Sequence, residues 1–171
     1  MDMKPFPEIE TERLYIRQLT LADRESVFKH FADPEIARFM DIEPCRDVKK
    51  AEEIIQFHMD DSGCRYGLFN KVNNHFLGTV GFHCWANSEP SSAELGFDLS
   101  RSYWGQGLMQ EALMEIIKMG WDVMNLDFIE ATVEQANIRS QNLLVKMLFS
   151  KADELKGDLF YYTLNREEFI L

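Results

Sequence analysis

The residues whose types and spacing could do chemistry lie in positions 93–113, AELGFDLSRSYWGQGLMQEAL. An expected strand runs into the turn Trp104-Gly105-Gln106-Gly107, and an expected helix follows at once. Glycines let a backbone bend tightly and turn successive N–H groups outward. The first N–H groups of a helix have no partner within it and carry partial positive charge. Together these features make a nest for an anion such as a pyrophosphate. An ordinary strand-to-helix turn would read the same way if the two glycines were the only signal. Rival phosphate sites can be checked directly. No GxxxxGK[ST] is present, which argues against an NTPase P-loop. Gln110 stands where a dinucleotide fingerprint needs its third glycine, and the strands before it form a meander rather than a βαβ unit. No GxSxG elbow supports a serine hydrolase.

The elements that must position this segment follow from periodicity. TERLYIRQL alternates Leu14 and Ile16 with Arg13, Tyr15 and Arg17, a half-buried strand. Thr20 opens a helix with Asp23 in the capping-box position, and Val27, Phe28 and Phe31 make one face that breaks near Pro34. Asp47 opens a second helix over about residues 47–60, with Ala51, Ile54, Ile55 and Met59 inward. Strands over 65–72 and 75–86 flank the turn pair Asn73-Asn74, and a third over 92–100 completes an antiparallel meander. The stripe Leu108, Ala112, Leu113, Ile116, Ile117, Gly120, Trp121, Met124 marks a long helix after Gly107. FIEATV (128–133) reads as a strand, residues 137–147 as a helix with Leu143, Leu144 and Met147 inward, and 157–171 as a closing aromatic strand. The expected order is β-α-α-β-β-β-α-β-α-β-β. That is an α+β fold with a mixed, mostly antiparallel sheet of six to seven strands flanked by about four helices.

The chain has 171 residues, 46% apolar and 12% aromatic, so it can bury a core as one domain spanning residues 1–171. Its formal charge of −11 argues against nucleic-acid or membrane-surface partners and tolerates amines. Cys45, Cys64 and Cys84 show no CxxC pairing, and His30, His58, His75 and His83 share no metal-ligand spacing, so no metal is expected. The start MDMKPFPEIE lacks a signal-peptide profile and no run of 18 apolar residues occurs, which points to the cytoplasm. A homodimer is compatible with these properties.

Taken together, the motifs resemble the GNAT-fold N-acetyltransferases, in the branch that acetylates ribosomal-protein N-termini. TERLYIRQLTLAD is similar to that branch's opening strand and helix, and GTVGFHCW with AELGFDLSRSYWGQGLMQEAL to its central strands and acetyl-CoA loop. IEATVEQANIRSQNLLVKMLF and FYYTLNREEF are similar to its later strands and helix. Three departures stand out. Trp104 and Met109 replace the loop's usual first and last residues, and Met109 adds bulk near the phosphates. Leu148 replaces a glycine, which raises a question of backbone strain there. Leu144 occupies the position of a tyrosine used by many members.

The resemblance implies acetyl-CoA as co-substrate and a primary amine as acceptor, either a protein or peptide N-terminus or a small polyamine, an amino-sugar antibiotic or an amino acid. It implies pyrophosphate contacts from the N–H groups of Gly105, Gln106, Gly107, Leu108 and Met109 behind Trp104. Phe97 and Leu99 would pair their main chains with the pantetheine arm, the Phe97 N–H serving as oxyanion donor. Asn137 would touch the cofactor arm or simply cap a helix. Ser140 would assist the leaving thiolate, or be a solvated helix serine. Glu94 is the candidate base, its pKa raised in a partly dry cleft, with Glu134 in reserve. Phe28, Phe31, Phe39, Met40 and Tyr161 are candidate walls of the acceptor cleft. A non-catalytic acyl-CoA sensor of the same fold is the alternative that Leu144 keeps open.

Overall fold

Apolar alternation builds most of the sheet in a computed structural model that describes residues 6–40 and 42–169. Residues 1–5, 41, 170 and 171 lie outside the described residues, among them the end of the expected closing strand. The strands are β1 (Ile9–Glu10), β2 (Leu14–Gln18), β3 (Cys64–Asn70), β4 (Phe76–Ala86), β5 (Ser92–Leu99), β6 (Phe128–Val133), β7 (Ser150–Lys151) and β8 (Phe160–Asn165). They form one sheet in the order β1-β2-β3-β4-β5-β6-β8-β7, antiparallel except between β5 and β6. Among the described residues eight strands therefore replace the expected six to seven. The additions are the two-residue edges β1 and β7, too short to show any alternation. The closing strand is shorter than expected, because Gly157 turns at φ 62° and residues 166–168 form a 3-10 turn.

The helices are α1 (Arg24–Phe31), α2 (Pro34–Arg38), α3 (Val48–Asp60), α4 (Leu108–Asp122) and α5 (Ile138–Lys146). The first expected helix is in fact three pieces. A 3-10 turn over 21–23 leads into α1, and Asp33 accepts from the Glu35 N–H to start α2 with Pro34 in its first turn. Asp47 caps α3 by accepting from the Lys50 N–H at 2.8 Å. None of the helices is long and apolar enough to cross a membrane among the described residues.

Two cores follow from the period-2 pleat, which sends neighbouring strand residues to opposite faces. The larger joins Ile16, Leu68, Val80 and Leu95 to Ala112, Leu113, Ile116 and Ile117 of α4 and to Leu144 of α5. The smaller joins Leu19 and Phe69 to Val27, Phe31, Ala51 and Ile55 of α1 and α3. The sheet is thus sandwiched, with α4 and α5 against one face and α1–α3 against the other.

Candidate active site

The one parallel pairing in the sheet is also its shortest central one. Strands β5 and β6 are registered only at Ser92↔Phe128, Ala93↔Ile129 and Glu94↔Glu130, after which β5 follows β4 and β6 follows β8. The strands part from Leu95 onward and leave a gap. Which main-chain groups face the gap follows from ladder parity. The Ser100 N–H donates to the Leu77 carbonyl at 2.8 Å, continuing the Gly78↔Leu99 register, so Gly96 and Asp98 bond toward β4. The main-chain groups of Phe97 and Leu99 consequently face the gap, as does the Leu95 carbonyl, the Leu95 N–H still belonging to the Glu94↔Glu130 pairing. The Leu99 carbonyl confirms this parity, because the Trp104 indole N–H reaches it at 2.7 Å.

That indole bond holds the glycine turn against the end of β5. Gly105 and Gly107 both have φ +76°, a left-handed conformation that a Cβ would strain. Nothing lies within 4 Å of where a Gly105 Cβ would stand, so the turn's outer side is open. Arg13 fixes its other side, donating to the Gln106 carbonyl at 2.9 Å and pairing with Glu111 of α4 at 2.8 Å. The Thr11 hydroxyl and the Arg13 N–H also donate to Glu111. The start of α4 differs from that of α2, α3 and α5. Its N-cap is Gly107, with no side chain to accept from the first turn. Its leading N–H groups are left for a ligand, as an anion site requires. Met109 departs from the family pattern without filling the site. It is 6% exposed and packs in the larger core while still forming part of the cavity wall.

A cavity of about 370 Å³ opens along the gap. Phe97, Asp98, Leu99, Trp104, Gly105, Gly107, Leu108 and Met109 line one side, and Asn137 and Ser140 of the α5 region line the other. Of the expected cofactor residues, only Gln106 is not among its walls. Asn137 serves as the helix cap, its Oδ1 accepting from the Ser140 N–H at 3.2 Å, and still faces the cavity. Leu144 is fully buried in the larger core. The position of the absent tyrosine therefore points away from the gap, and Ser140 is the hydroxyl of α5 on the cavity wall. Two cations went unread in the sequence. Arg139 stacks on Trp104 at 3.9 Å and lines the cavity together with Lys146. A global charge of −11 hides such a local pair, and only helix phase relative to the asparagine cap would have marked it.

Glu94 requires a correction. It sits at the last position of β5 that pairs with β6, does not line the cavity, and shares its face with Asp98, on the side covered by α1–α3. Its pKa is lowered rather than raised. The contact with the His83 ring, whose Nε2 is 3.7 Å from Oε2, outweighs burial, and the Thr132 hydroxyl donating to Oε1 at 3.0 Å adds to it. Glu134 lies half-buried past β6, outside the cavity walls. Among the expected acceptor walls, Phe39 and Met40 do line the cavity. Phe31 is core and Phe28 packs against the smaller core instead, which answers the sequence expectation for those two. Tyr161 is on β8 and donates its hydroxyl to Glu130, away from the cavity walls.

Beneath Phe97, Asp98 is the hub of a buried polar network. It contacts His30 Nε2, accepts from Arg65 Nη2 at 3.0 Å, and accepts from both the hydroxyl and the N–H of Thr79. Burial alone would push its carboxyl up, but the His30 ring, the Arg65 guanidinium and the Thr79 hydroxyl hold it down at about 2. The network joins α1 to the strand that borders the gap.

Comparison with known proteins agrees with this geometry. The acetyltransferase (GNAT) domain family matches residues 13–150. An uncharacterized N-acetyltransferase, p20 of Bacillus licheniformis, is 33% identical over 93% of this chain and 96% of its own. The [ribosomal protein uS5]-alanine N-acetyltransferase of Escherichia coli is 26% identical over 91% and 84%. A solved structure of RimL, described as a ribosomal L7/L12 alpha-N-protein acetyltransferase in complex with coenzyme A, shares the fold. Its TM-score is 0.80 at 16% identity, covering 93% of this chain and 98% of that one. A split sheet, an uncapped helix start beyond a glycine turn, and a family match across most of the chain lead to one assignment: this protein is an N-acetyltransferase of the GNAT family.

Proposed function

We propose that this enzyme passes the acetyl group of acetyl-CoA directly to a primary amine in a ternary complex, and that a protein N-terminal α-amine is its acceptor class. The observation that carries the reading is the β5–β6 gap, along which the Phe97 and Leu99 edge of β5 runs toward the uncapped start of α4. The site fits acetyl-CoA. The nest at residues 105–109 would take the pyrophosphate, Arg139 and Lys146 supply positive charge, and the β5 edge would pair with the pantetheine amides. When bound, acetyl-CoA supplies an activated thioester carbonyl.

The chain's own groups do the rest. The Phe97 N–H would donate to the carbonyl oxygen as negative charge builds on it. The Leu99 N–H would hold the arm, its carbonyl being already committed to Trp104. Ser140 would donate a proton toward the departing sulfur, and Asn137 would orient the arm while capping α5. Glu94 is the acceptor-side carboxylate. Ionised throughout the neutral range, it would attract the ammonium form, which gives one proton to solvent before attack; the second nitrogen proton, released as the amide forms, balances the one that Ser140 passes to the departing sulfur. The cytoplasm, where acetyl-CoA and nascent ribosomal proteins meet, suits this reading.

The acceptor class rests on similarity to the uS5-alanine enzyme. A panel of Ala- and Ser-initiated peptides, polyamines and aminoglycosides, followed by free-thiol release, tests it. Faster turnover of peptides supports the reading, and turnover of small amines alone contradicts it. The buried Leu144 leaves one rival, an acyl-CoA sensor, which would bind acetyl-CoA and release no thiol with any amine.

A further inference from the structure

Neighbouring residues on a regular strand point to opposite faces, so a sequential His-Cys pair does not ordinarily offer both side chains to one ligand. Strand β4 breaks that rule at His83-Cys84. Its register to β5 shifts between His83 and Ala86, and Cys84 has φ +53°, a conformation rare outside glycine. The bulge brings His83 and Cys84 to the same place. Across the ladder from His83, at the registered position, stands Glu94.

One donor atom from each of His83, Cys84 and Glu94 lies within 4.8 Å of the others, and His83 Nε2 is 3.7 Å from Glu94 Oε2. Four-coordinate zinc, with bonds of about 2.0–2.3 Å, sets neighbouring ligands roughly 3–4 Å apart, so closure needs only small rotamer movements. The carboxylate is already oriented. Thr132 donates to Oε1 and leaves Oε2 toward the imidazole, the kind of outer hydrogen bond that fixes metal ligands. Cys84 is exposed, whereas Cys45 and Cys64 are buried.

We propose that His83, Cys84 and Glu94 form a binding site for a thiophilic divalent cation, zinc by ligand class, with a fourth position open to water. The donor set is imidazole, thiolate and carboxylate, which suits zinc and is too soft for magnesium or calcium. The surrounding field favours a cation. The carboxylates of Asp61 and Glu130 add negative charge around the three ligands, Lys156 opposes them, and burial lowers the His58 pKa to about 4, so its ring adds no positive charge at pH 7. Binding replaces the S–H bond by a metal–sulfur bond and releases that proton to solvent. Conventional motif spacing misses the site, since two ligands are adjacent and the third lies across a β-ladder.

The test is a cobalt(II) titration of untagged, phosphine-reduced protein, followed by absorbance. Thiolate-to-cobalt charge transfer in the near ultraviolet that saturates at one equivalent and bleaches on adding zinc is the expected result. Cys84→Ser should abolish the band. His83→Ala should weaken cobalt affinity at least tenfold, with far-ultraviolet circular dichroism unchanged in both variants. The proposal is overturned if wild-type protein shows no charge-transfer band, or if the band persists in Cys84→Ser. Because the readout is spectroscopic, it stands apart from whether Glu94 takes part in acetyl transfer.

Discussion

Ser140 and Glu94 make opposite demands on experiment. If Ser140 donates to the leaving sulfur, the interaction exists mainly in the transition state, so Ser140→Ala should lower kcat and kcat/KM together while acetyl-CoA affinity holds. A loss of about tenfold or more in steady-state rate is expected, and a change within twofold, under about half a kcal/mol, makes Ser140 a plain helix residue. Glu94 is ionised well below neutrality because His83 and Thr132 favour its charged form. It therefore contributes no acidic limb near pH 7. The kcat/KM profile should rise with pH as the acceptor amine deprotonates, and Glu94→Gln should keep that shape with a uniform loss smaller than the 10²–10⁴-fold of strong general-base assistance. A limb near neutrality that vanishes in Glu94→Gln would restore the raised-pKa base expected from the sequence.

At the scale of elements, two places carry energy that can be measured. Helix α5 ends in a Schellman arrangement, with the Phe149 N–H on the Leu144 carbonyl and the Leu148 N–H on that of Val145, both at 3.0 Å. The first residue past the helix cap must be left-handed in this arrangement, and Leu148, which holds that place, has φ +73°. The strain suspected from the missing glycine is present. A non-glycine residue there costs about 1–2 kcal/mol, and Leu148 is half exposed, so Leu148→Gly should raise stability by about 1 kcal/mol in urea unfolding. The second place is Asp98. Its carboxyl is held at about 2, below its unfolded value of 3.8, so its stabilisation is complete above pH 4 and fades as pH falls from there through 2. Asp98→Asn should flatten that acid limb. It should also cost about 3–5 kcal/mol at pH 7, because Arg65 is left buried without its counter-charge.

For the whole molecule, the sequence carried the architecture wherever apolar period and punctuation agreed. The meander, the long helix behind Gly107 and the FIEATV strand all stand where alternation or the 3.6-residue stripe put them. It failed where geometry is set between elements. Nothing in the linear order shows that β5 and β6 pair for three residues and then part, that α4 starts without a cap, or that a bulge brings His83 beside Cys84. The direction of the Glu94 pKa shift was hidden for the same reason, since its partner His83 is eleven residues away and meets it only through ladder register. The local glycine pattern, in contrast, already pointed to an anion site. For a molecule of net charge −11 to take acetyl-CoA as proposed, it must do so through local donors, which makes the turn at residues 105–109 the point of greatest leverage in that reading. Isothermal calorimetry of acetyl-CoA with wild type, Gly107→Ala and Gly107→Glu tests this most directly. Alanine carries the strain of a left-handed Cβ without charge, whereas glutamate adds a carboxylate at the nest. Binding by wild type, modest weakening by alanine and loss of detectable binding by glutamate at unchanged circular dichroism is the predicted result. Equal affinity of wild type and Gly107→Glu would contradict the account.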